Sequence, residues 1–180
     1  MKKILVLSSA IAALVLVLTL VPGRAEARRR YYSSNVAGEP GNSTFGIGLI
    51  LGAPTGLSME LKLSGQSALD FAIGLNTFDD TDGGYFHFDY LVYLTDLSRG
   101  GSVAVPLYLG IGLAFWDPYR HFNNDDLNVA LRVPFGLAIA FRTAPVQFFG
   151  ELAVRVLFVD QGYDDDTTDL TGGLGFRVYF

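Results

Sequence analysis

The last twelve residues of the chain, Asp169–Phe180, alternate in polarity with a period of two. Apolar side chains lie at Leu170, Leu174, Phe176, Val178 and Phe180, and small or polar ones lie at Thr171, Gly173, Gly175, Arg177 and Tyr179. Because successive side chains of a β-strand point to opposite faces, the segment predicts a strand with one apolar and one polar face. An outward apolar face at this length suits a strand that crosses a bilayer.

Seven further alternating segments precede this one, each bounded by turn residues. They run over about 44–52, 57–63, 68–76, 84–94, 102–116, 127–141 and 146–158. Pro106 and Pro134 fall inside two central segments, where a missing amide hydrogen predicts bulges. With no helical period between them, the segments predict an all-β fold, an eight-stranded antiparallel up-and-down transmembrane β-barrel.

The connections between the segments differ in length. An even number of strands places both chain ends on the same, periplasmic, side of a barrel. We therefore expect short periplasmic turns at 64–67, 95–101 and 142–145, and longer outer loops at 78–83, 117–126 and 159–168. The first outer connection, 53–56, is an exception because it is short.

The N-terminus has the features of an export signal. Lys2-Lys3 is positively charged, Ile4–Val21 is almost continuously apolar, and Ala25-Glu26-Ala27 offers small residues at a cleavage site. We expect a cleaved signal peptide at 1–27, a flexible segment at 28–43 and the barrel at 44–180. The alternative is an uncleaved inner-membrane anchor followed by Arg28–Arg30, because the apolar stretch is long enough to span a bilayer.

Alternation alone does not distinguish a membrane barrel from a soluble lipocalin-like barrel with its faces reversed. Small residues on the polar face favour the membrane barrel, because a narrow eight-stranded interior needs them and a water-facing surface does not. This face carries Gly46, Gly48, Gly74, Gly110, Gly112, Gly136, Gly173, Gly175, Ala72, Ala104, Ala130, Ala138 and Ala140.

Nine titratable side chains share the predicted inner face. They are Glu60, Lys62, Asp70, His87, Asp89, Arg132, Glu151, Arg155 and Arg177. Because an unpaired charge in a low-dielectric interior is costly, a set of four acids and four bases with one histidine predicts an ion-pair network that plugs the lumen. The alternative is a gated pore in which these charges exchange partners.

Composition excludes several classes of function. The chain has no cysteine, which rules out disulfides and thiolate metal sites, and its net charge of −5 argues against nucleic acid as a partner.

We expect no cofactor and no metal site. Phe78–Asp89 partly resembles a calcium-binding loop, but Phe78 occupies the first ligand position. The many aspartates of the outer loops predict a solvated rim, with loose divalent-ion bridging to lipopolysaccharide as the alternative.

Catalysis has little support in the sequence. His87 and His121 are the chain's two histidines, and no Gly-x-Ser-x-Gly nucleophile motif accompanies them. His87 and Asp89 share a strand face and could form a base with its orienting carboxylate, but the pattern marks no serine as their partner. We therefore expect no catalytic residues and no enzymatic activity.

The signal peptide, the eight alternating segments and the aromatic C-terminus resemble the small bacterial outer-membrane barrels, of the kind seen in the OmpA transmembrane domain and in OmpX-like proteins. The resemblance implies that Phe176, Val178, Tyr179 and Phe180 form a C-terminal assembly signal read by the barrel-assembly machinery. We expect no C-terminal peptidoglycan-binding domain of the kind that OmpA carries, so a tether to the cell wall is not implied.

This resemblance also implies a place and a role. We expect a monomer in the bacterial outer membrane, in contact with outer-membrane lipid and lipopolysaccharide, and acting as a structural or surface-interaction barrel with a closed lumen. The alternatives are a narrow channel for small solutes and, third, a lipid-modifying enzyme.

Overall fold

The computed structural model describes residues 43–75, 83–98, 102–117, 127–159 and 168–180. Its strands are β1 (Phe45–Gly52), β2 (Thr55–Ser64), β3 (Ser67–Leu75), β4 (Gly84–Asp96), β5 (Val103–Ala104), β6 (Pro106–Trp116), β7 (Asn128–Phe141), β8 (Val146–Val159) and β9 (Thr168–Tyr179). The described ranges contain no helix, and hence none long and apolar enough to cross a membrane. The predicted signal peptide and the predicted N-terminal segment, Ser43 excepted, lie outside them.

The strands form one closed sheet. β5 and β6 together make a single strand interrupted at Val105, so the described residues provide eight barrel strands. Each strand pairs antiparallel with the next, and β9 returns to pair with β1. Gly48 on β1, for example, lies opposite Ser58 on β2 and opposite Arg177 on β9. This confirms the predicted eight-stranded antiparallel barrel, and the predicted strand ends agree within two residues.

The two ends of the barrel differ in their connections. At one end, the short-connection end, the strands are joined by 65–66, 97–102 and 142–145. At the other, the long-connection end, they are joined by 53–54 and by three longer stretches, 76–83, 117–127 and 160–167.

Pro106 begins β6 directly after the break in its barrel strand. The amide of Val105 donates a hydrogen bond to Oδ1 of Asp96 at 2.9 Å, so a side chain bridges the gap. On β4 the ladder shifts register between Tyr93 and Thr95, opposite the same region. In place of the bulge predicted at Pro106, its own strand is broken at Val105, and the register shift lies on β4 opposite it.

Pro134 interrupts the ladder differently. Since proline has no amide hydrogen, the pairing of β7 with β6 skips it. The register is nevertheless the same on both sides, with Leu109 opposite Phe135 and Gly112 opposite Arg132. The bulge predicted at Pro134 is wrong, because the ladder loses the pairs at Val133 and Pro134 without gaining a residue.

The two faces of the sheet have opposite character. Large apolar side chains point outward, and Leu51, Leu170 and Leu174 have 66%, 66% and 71% of their surface exposed. Charged side chains point inward and are buried, together with small residues that leave space for them. The buried alanines are Ala53, Ala68, Ala72, Ala104, Ala114, Ala130, Ala138, Ala140 and Ala153.

Two inward glycines show why small residues are needed. A Cβ atom on Gly112 would lie 2.1 Å from Oδ1 of Asp89 and 2.0 Å from the backbone oxygen of Phe88. A Cβ atom on Gly136 would lie 2.4 Å from the hydroxyl oxygen of Tyr108. Any larger residue at either position would therefore displace a side chain of the lumen.

Candidate functional site in the barrel lumen

All nine side chains predicted for the inner face lie inside the barrel and are buried. The exposed fraction of each residue is at most 8%, the value for Lys62. The nine are Glu60, Lys62, Asp70, His87, Asp89, Arg132, Glu151, Arg155 and Arg177. Their phase on the strands places them there, and their contacts divide them into three groups.

The first group surrounds Arg177 of β9. Its guanidinium group pairs with the carboxylates of Glu60 and Asp70, and its Nε donates to Oγ of Ser58 at 2.9 Å. The guanidinium carbon also lies 4.0 Å from the ring centroid of Phe149. One cation thus holds two acids, which suits the planar donor arrangement of arginine.

Tyrosines complete the hydrogen bonding around Glu60. Tyr93 donates to Oε1 of Glu60 at 2.7 Å, and Tyr179 lies 3.1 Å from the same atom and also contacts Oε1 of Gln147. Nζ of Lys62 lies 4.0 Å from the centroid of the Tyr179 ring, a cation–π contact. The short-connection half of the lumen is therefore densely bonded.

The second group surrounds Arg132 of β7, at the middle of the barrel. Its Nη1 pairs with Asp89 and its Nη2 with Glu151, and Tyr108 donates to Oε2 of Glu151 at 3.2 Å. The exposed fraction of Arg132 is 0%. Because removing Arg132 would leave two buried carboxylates without a cation, this pairing stabilises the barrel interior.

His87 joins the two groups. Its Nε2 lies 3.3 Å from Oδ2 of Asp70 and 3.8 Å from Oδ2 of Asp89. Ligand atoms of these three residues lie within 4.8 Å of one another, a spacing that a metal ion could bridge. Both carboxylates already pair with arginines, Asp70 with Arg177 and Asp89 with Arg132. The contacts therefore favour an ion-pair role for the cluster.

The third group lies toward the long-connection end. Arg155 of β8 pairs through Nη2 with Asp169 of β9, and its guanidinium carbon lies 4.4 Å from the Trp116 ring centroid. Asp169 is not among the residues predicted to face the lumen. The structure therefore adds Asp169 to the predicted residues as the counter-ion of Arg155, whereas the four predicted acids pair with Arg132 or Arg177.

Several polar partners in the lumen were missed by sequence reasoning. Ser58, Gln147 and Asp169 all have the inward phase of their strands, which was a usable signal. Ser58 and Gln147 carry no charge, and Asp169 is the second residue of its strand, so charge pairing alone did not indicate them.

The predicted C-terminal assembly residues divide between the faces. Phe176 and Phe180 point outward with 38% and 71% of their surface exposed, and Val178 has the same phase. Tyr179 points inward, where it bonds with Glu60. The backbone amide of Phe180 donates to the carbonyl oxygen of Phe45 at 2.8 Å, which closes the sheet.

The residues weighed against for calcium binding and catalysis have other contacts where the structure describes them. Asp89, the last position of the calcium-loop pattern, lies in the lumen and pairs with Arg132. The buried serine near the network, Ser58, accepts hydrogen bonds from Arg177 and not from His87. The loop aspartates Asp79, Asp80, Asp82, Asp125, Asp126, Asp160, Asp164, Asp165 and Asp166, and also His121, lie outside the described residues.

Fold and lumen together define a class: closed, eight-stranded antiparallel β-barrels whose interior is filled by paired charges and tyrosines, a fold consistent with that of OmpA-like and OmpX-like barrels. When the chain was compared with protein-family models, with curated proteins and with solved structures, nothing matched.

Proposed function

We propose that the protein is an integral barrel of the bacterial outer membrane with a closed, ion-paired lumen, and that it serves a structural or surface-interaction role. The supporting observation is the direction of its side chains. Leucine, isoleucine, valine and phenylalanine cover the outside, whereas arginine, aspartate and glutamate lie inside. Lipid is the solvent that matches such a surface, because water-exposed apolar patches of soluble monomers are limited in area.

A soluble ligand-carrying barrel is a poor fit to the same side chains. Such a barrel would line its cavity with apolar groups and present charge to water. Here the inner positions hold Arg132, Arg155 and Arg177, each with no more than 2% of its surface exposed. The proposal therefore follows from the inner face as well as from the outer one.

The lumen contacts favour a closed barrel over a channel. Arg177 links β9 to β2 and β3, and Arg132 links β7 to β4 and β8, so paired side chains span the interior at two levels. An eight-stranded barrel has an interior just wide enough for side chains to fill. The proposed contacts of this barrel are outer-membrane lipid, lipopolysaccharide and the barrel-assembly machinery.

The first test is folding in detergent. We expect the refolded protein to give a strand-rich circular dichroism spectrum and to migrate differently on a gel before and after boiling. The same preparation diluted into buffer without detergent should aggregate, because its apolar outer face would meet water. A monomer that folds in buffer alone would refute the membrane proposal.

Conductance separates a closed barrel from a channel. In planar lipid bilayers we expect the refolded protein to insert without producing conductance steps, since the ion pairs of Arg132 and Arg177 cross the lumen. Refolded protein incorporated into vesicles should be recovered with the lipid, which is the control for insertion. Regular single-channel steps from inserted protein would instead support the channel.

A further inference from the structure

Among the described residues, the buried polar side-chain atoms of the lumen that have no hydrogen-bond partner lie in one half of the barrel. Within the described residues, six buried polar side-chain atoms have no hydrogen-bond partner: Tyr85 Oη, His87 Nδ1, Asp89 Oδ1, Arg132 Nε, Arg155 Nε and Arg155 Nη1. None of them belongs to Glu60, Arg177 or Tyr179, which form the network near the short-connection end. The unsatisfied atoms begin at the middle of the barrel and continue toward the long-connection end.

Four of these six atoms carry hydrogens to donate. They are the Tyr85 hydroxyl, Nε of Arg132 and both Nε and Nη1 of Arg155. A buried donor without a partner loses its hydration and gains no hydrogen bond in return, and the loss is larger for charged groups. An excess of donors calls for an occupant rich in acceptor oxygens.

Arg155 is the centre of this region. Its side chain is 2% exposed, and the side chain of its carboxylate partner, Asp169, is 38% exposed and therefore partly screened by solvent. Arg132, which lies directly opposite Arg155 in the β7–β8 register, has two buried carboxylates. Arg155 therefore differs from Arg132 in two ways. Two of its nitrogens, Nε and Nη1, have no acceptor, and its carboxylate partner is more exposed to solvent.

Two aromatic rings pack around the guanidinium group of Arg155. Its guanidinium carbon lies 4.4 Å from the Trp116 centroid and 5.7 Å from the Tyr85 centroid. These two rings are stacked with centroids 6.5 Å apart, on directly opposite positions of β4 and β6. The two rings flank the guanidinium, and its Nε and Nη1 donors, like the Tyr85 hydroxyl, have no hydrogen-bond partner among the described residues.

We infer that the long-connection half of the lumen contains a binding site for a small oxyanion, a carboxylate or a phosphate, held by Arg155 and the hydroxyl of Tyr85. The anion accepts hydrogen bonds from Nε and Nη1 of Arg155, a two-point arrangement that suits carboxylate and phosphate oxygens. Asp169 lies on the same guanidinium, so the anion enters past a partly exposed ion pair. The closed network around Arg177 makes the site blind-ended.

The protein carries its own reporter of this site. Trp116 is the single tryptophan of the chain, and it contacts the guanidinium group that binds the anion. The full-length protein, refolded in detergent, is titrated with inorganic phosphate and separately with acetate, with sodium chloride at matched ionic strength as the reference. We expect a saturable change in Trp116 emission with at least one oxyanion, and the comparison of the two arms identifies the preferred one.

Variants separate binding from general screening. Arg155→Gln should weaken the apparent affinity roughly tenfold or more, since it removes the charge-assisted donors. Tyr85→Phe should weaken it by a smaller factor while leaving the ion pair with Asp169 in place. Arg142→Gln makes the same chemical change at the short-connection end, where Arg142 pairs with Asp96 at 3.5 Å, and should leave the titration unchanged.

Two results would overturn the site. One is a change in wild-type Trp116 emission that is no larger with phosphate or acetate than with sodium chloride at the same ionic strength. That result would mean that water alone occupies these donors. The other is a phosphate or acetate response that persists unchanged in a folded Arg155→Gln or Tyr85→Phe protein. If Arg155→Gln does not fold, Tyr85→Phe decides, because it removes one hydroxyl and no charge.

Discussion

Replacing Arg132 by leucine is expected to lower the free energy of unfolding of the barrel by about 3–5 kcal/mol, because the carboxylates of Asp89 and Glu151 lose their shared cation inside a buried site. Glu151→Leu should also be strongly destabilising, by about 3 kcal/mol, since Arg132 then keeps one of its two acids. Arg132→Leu leaves two buried carboxylates without their cation, whereas Glu151→Leu leaves Nη2 of Arg132 and the Tyr108 hydroxyl without their acceptor. The size of both effects reflects the 0% exposure of Arg132.

The measurement is urea unfolding of protein inserted in lipid vesicles, followed by Trp116 emission. Arg142→Leu is the matched control, because its pair with Asp96 is partly exposed, with side-chain exposures of 38% and 22%. Loss of this exposed ion pair should change the free energy of unfolding by no more than about 1 kcal/mol. Equal unfolding midpoints for Arg132→Leu and the wild type would show that the buried pairs do not hold the lumen together.

The second large effect concerns the outer face. Leu152→Lys, near the middle of β8, should destabilise the protein in lipid vesicles by roughly 2–4 kcal/mol, since a lysine at the bilayer midplane loses its hydration. The control is Leu97→Lys, just beyond the last residue of β4. The two leucines are similarly exposed, at 57% and 56%, but differ in height along the barrel.

This pair of variants tests whether the outer face of the barrel is surrounded by lipid or by water. At the interface a lysine costs about 0–1 kcal/mol, so Leu97→Lys should be nearly neutral. On a protein surrounded by water, both substitutions would be exposed surface changes with effects of about 0.5 kcal/mol or less. Unfolding titrations in vesicles that give the same small change for both variants would contradict the membrane proposal.

Much of the fold was predictable because strand formation and facing depend on local pattern. The alternation of Phe45, Ile47 and Leu49 with Gly46 and Gly48 indicates both a strand and its apolar side. Because eight segments show this alternation and no segment with a helical period lies between them, the sequence predicts a closed antiparallel sheet. Pro134 shows where this reasoning fails: proline predicts a lost hydrogen bond, but whether the register shifts depends on the neighbouring strands.

The candidate site was predictable as a set of residues and not as a set of contacts. Period-two phase places Arg177 and Glu60 on the inner face, yet they are far apart in sequence. They meet because β9 pairs with β1, which in turn pairs with β2. Arg155 illustrates the same limit. Its partner Asp169 was missed because phase specifies the face of a residue and says nothing of its height in the barrel.

The sequence by itself determined the strands, their direction in the sheet and the face each side chain occupies, since these follow from steric alternation and from the small residues that a narrow interior requires. The tertiary structure decided which charges meet. Barrel closure fixes the stagger of each strand against its neighbours, and that stagger sets the height of every inward side chain. It therefore placed Arg132 between Asp89 and Glu151 and left Arg155 with Asp169 and two unpartnered nitrogens near Trp116.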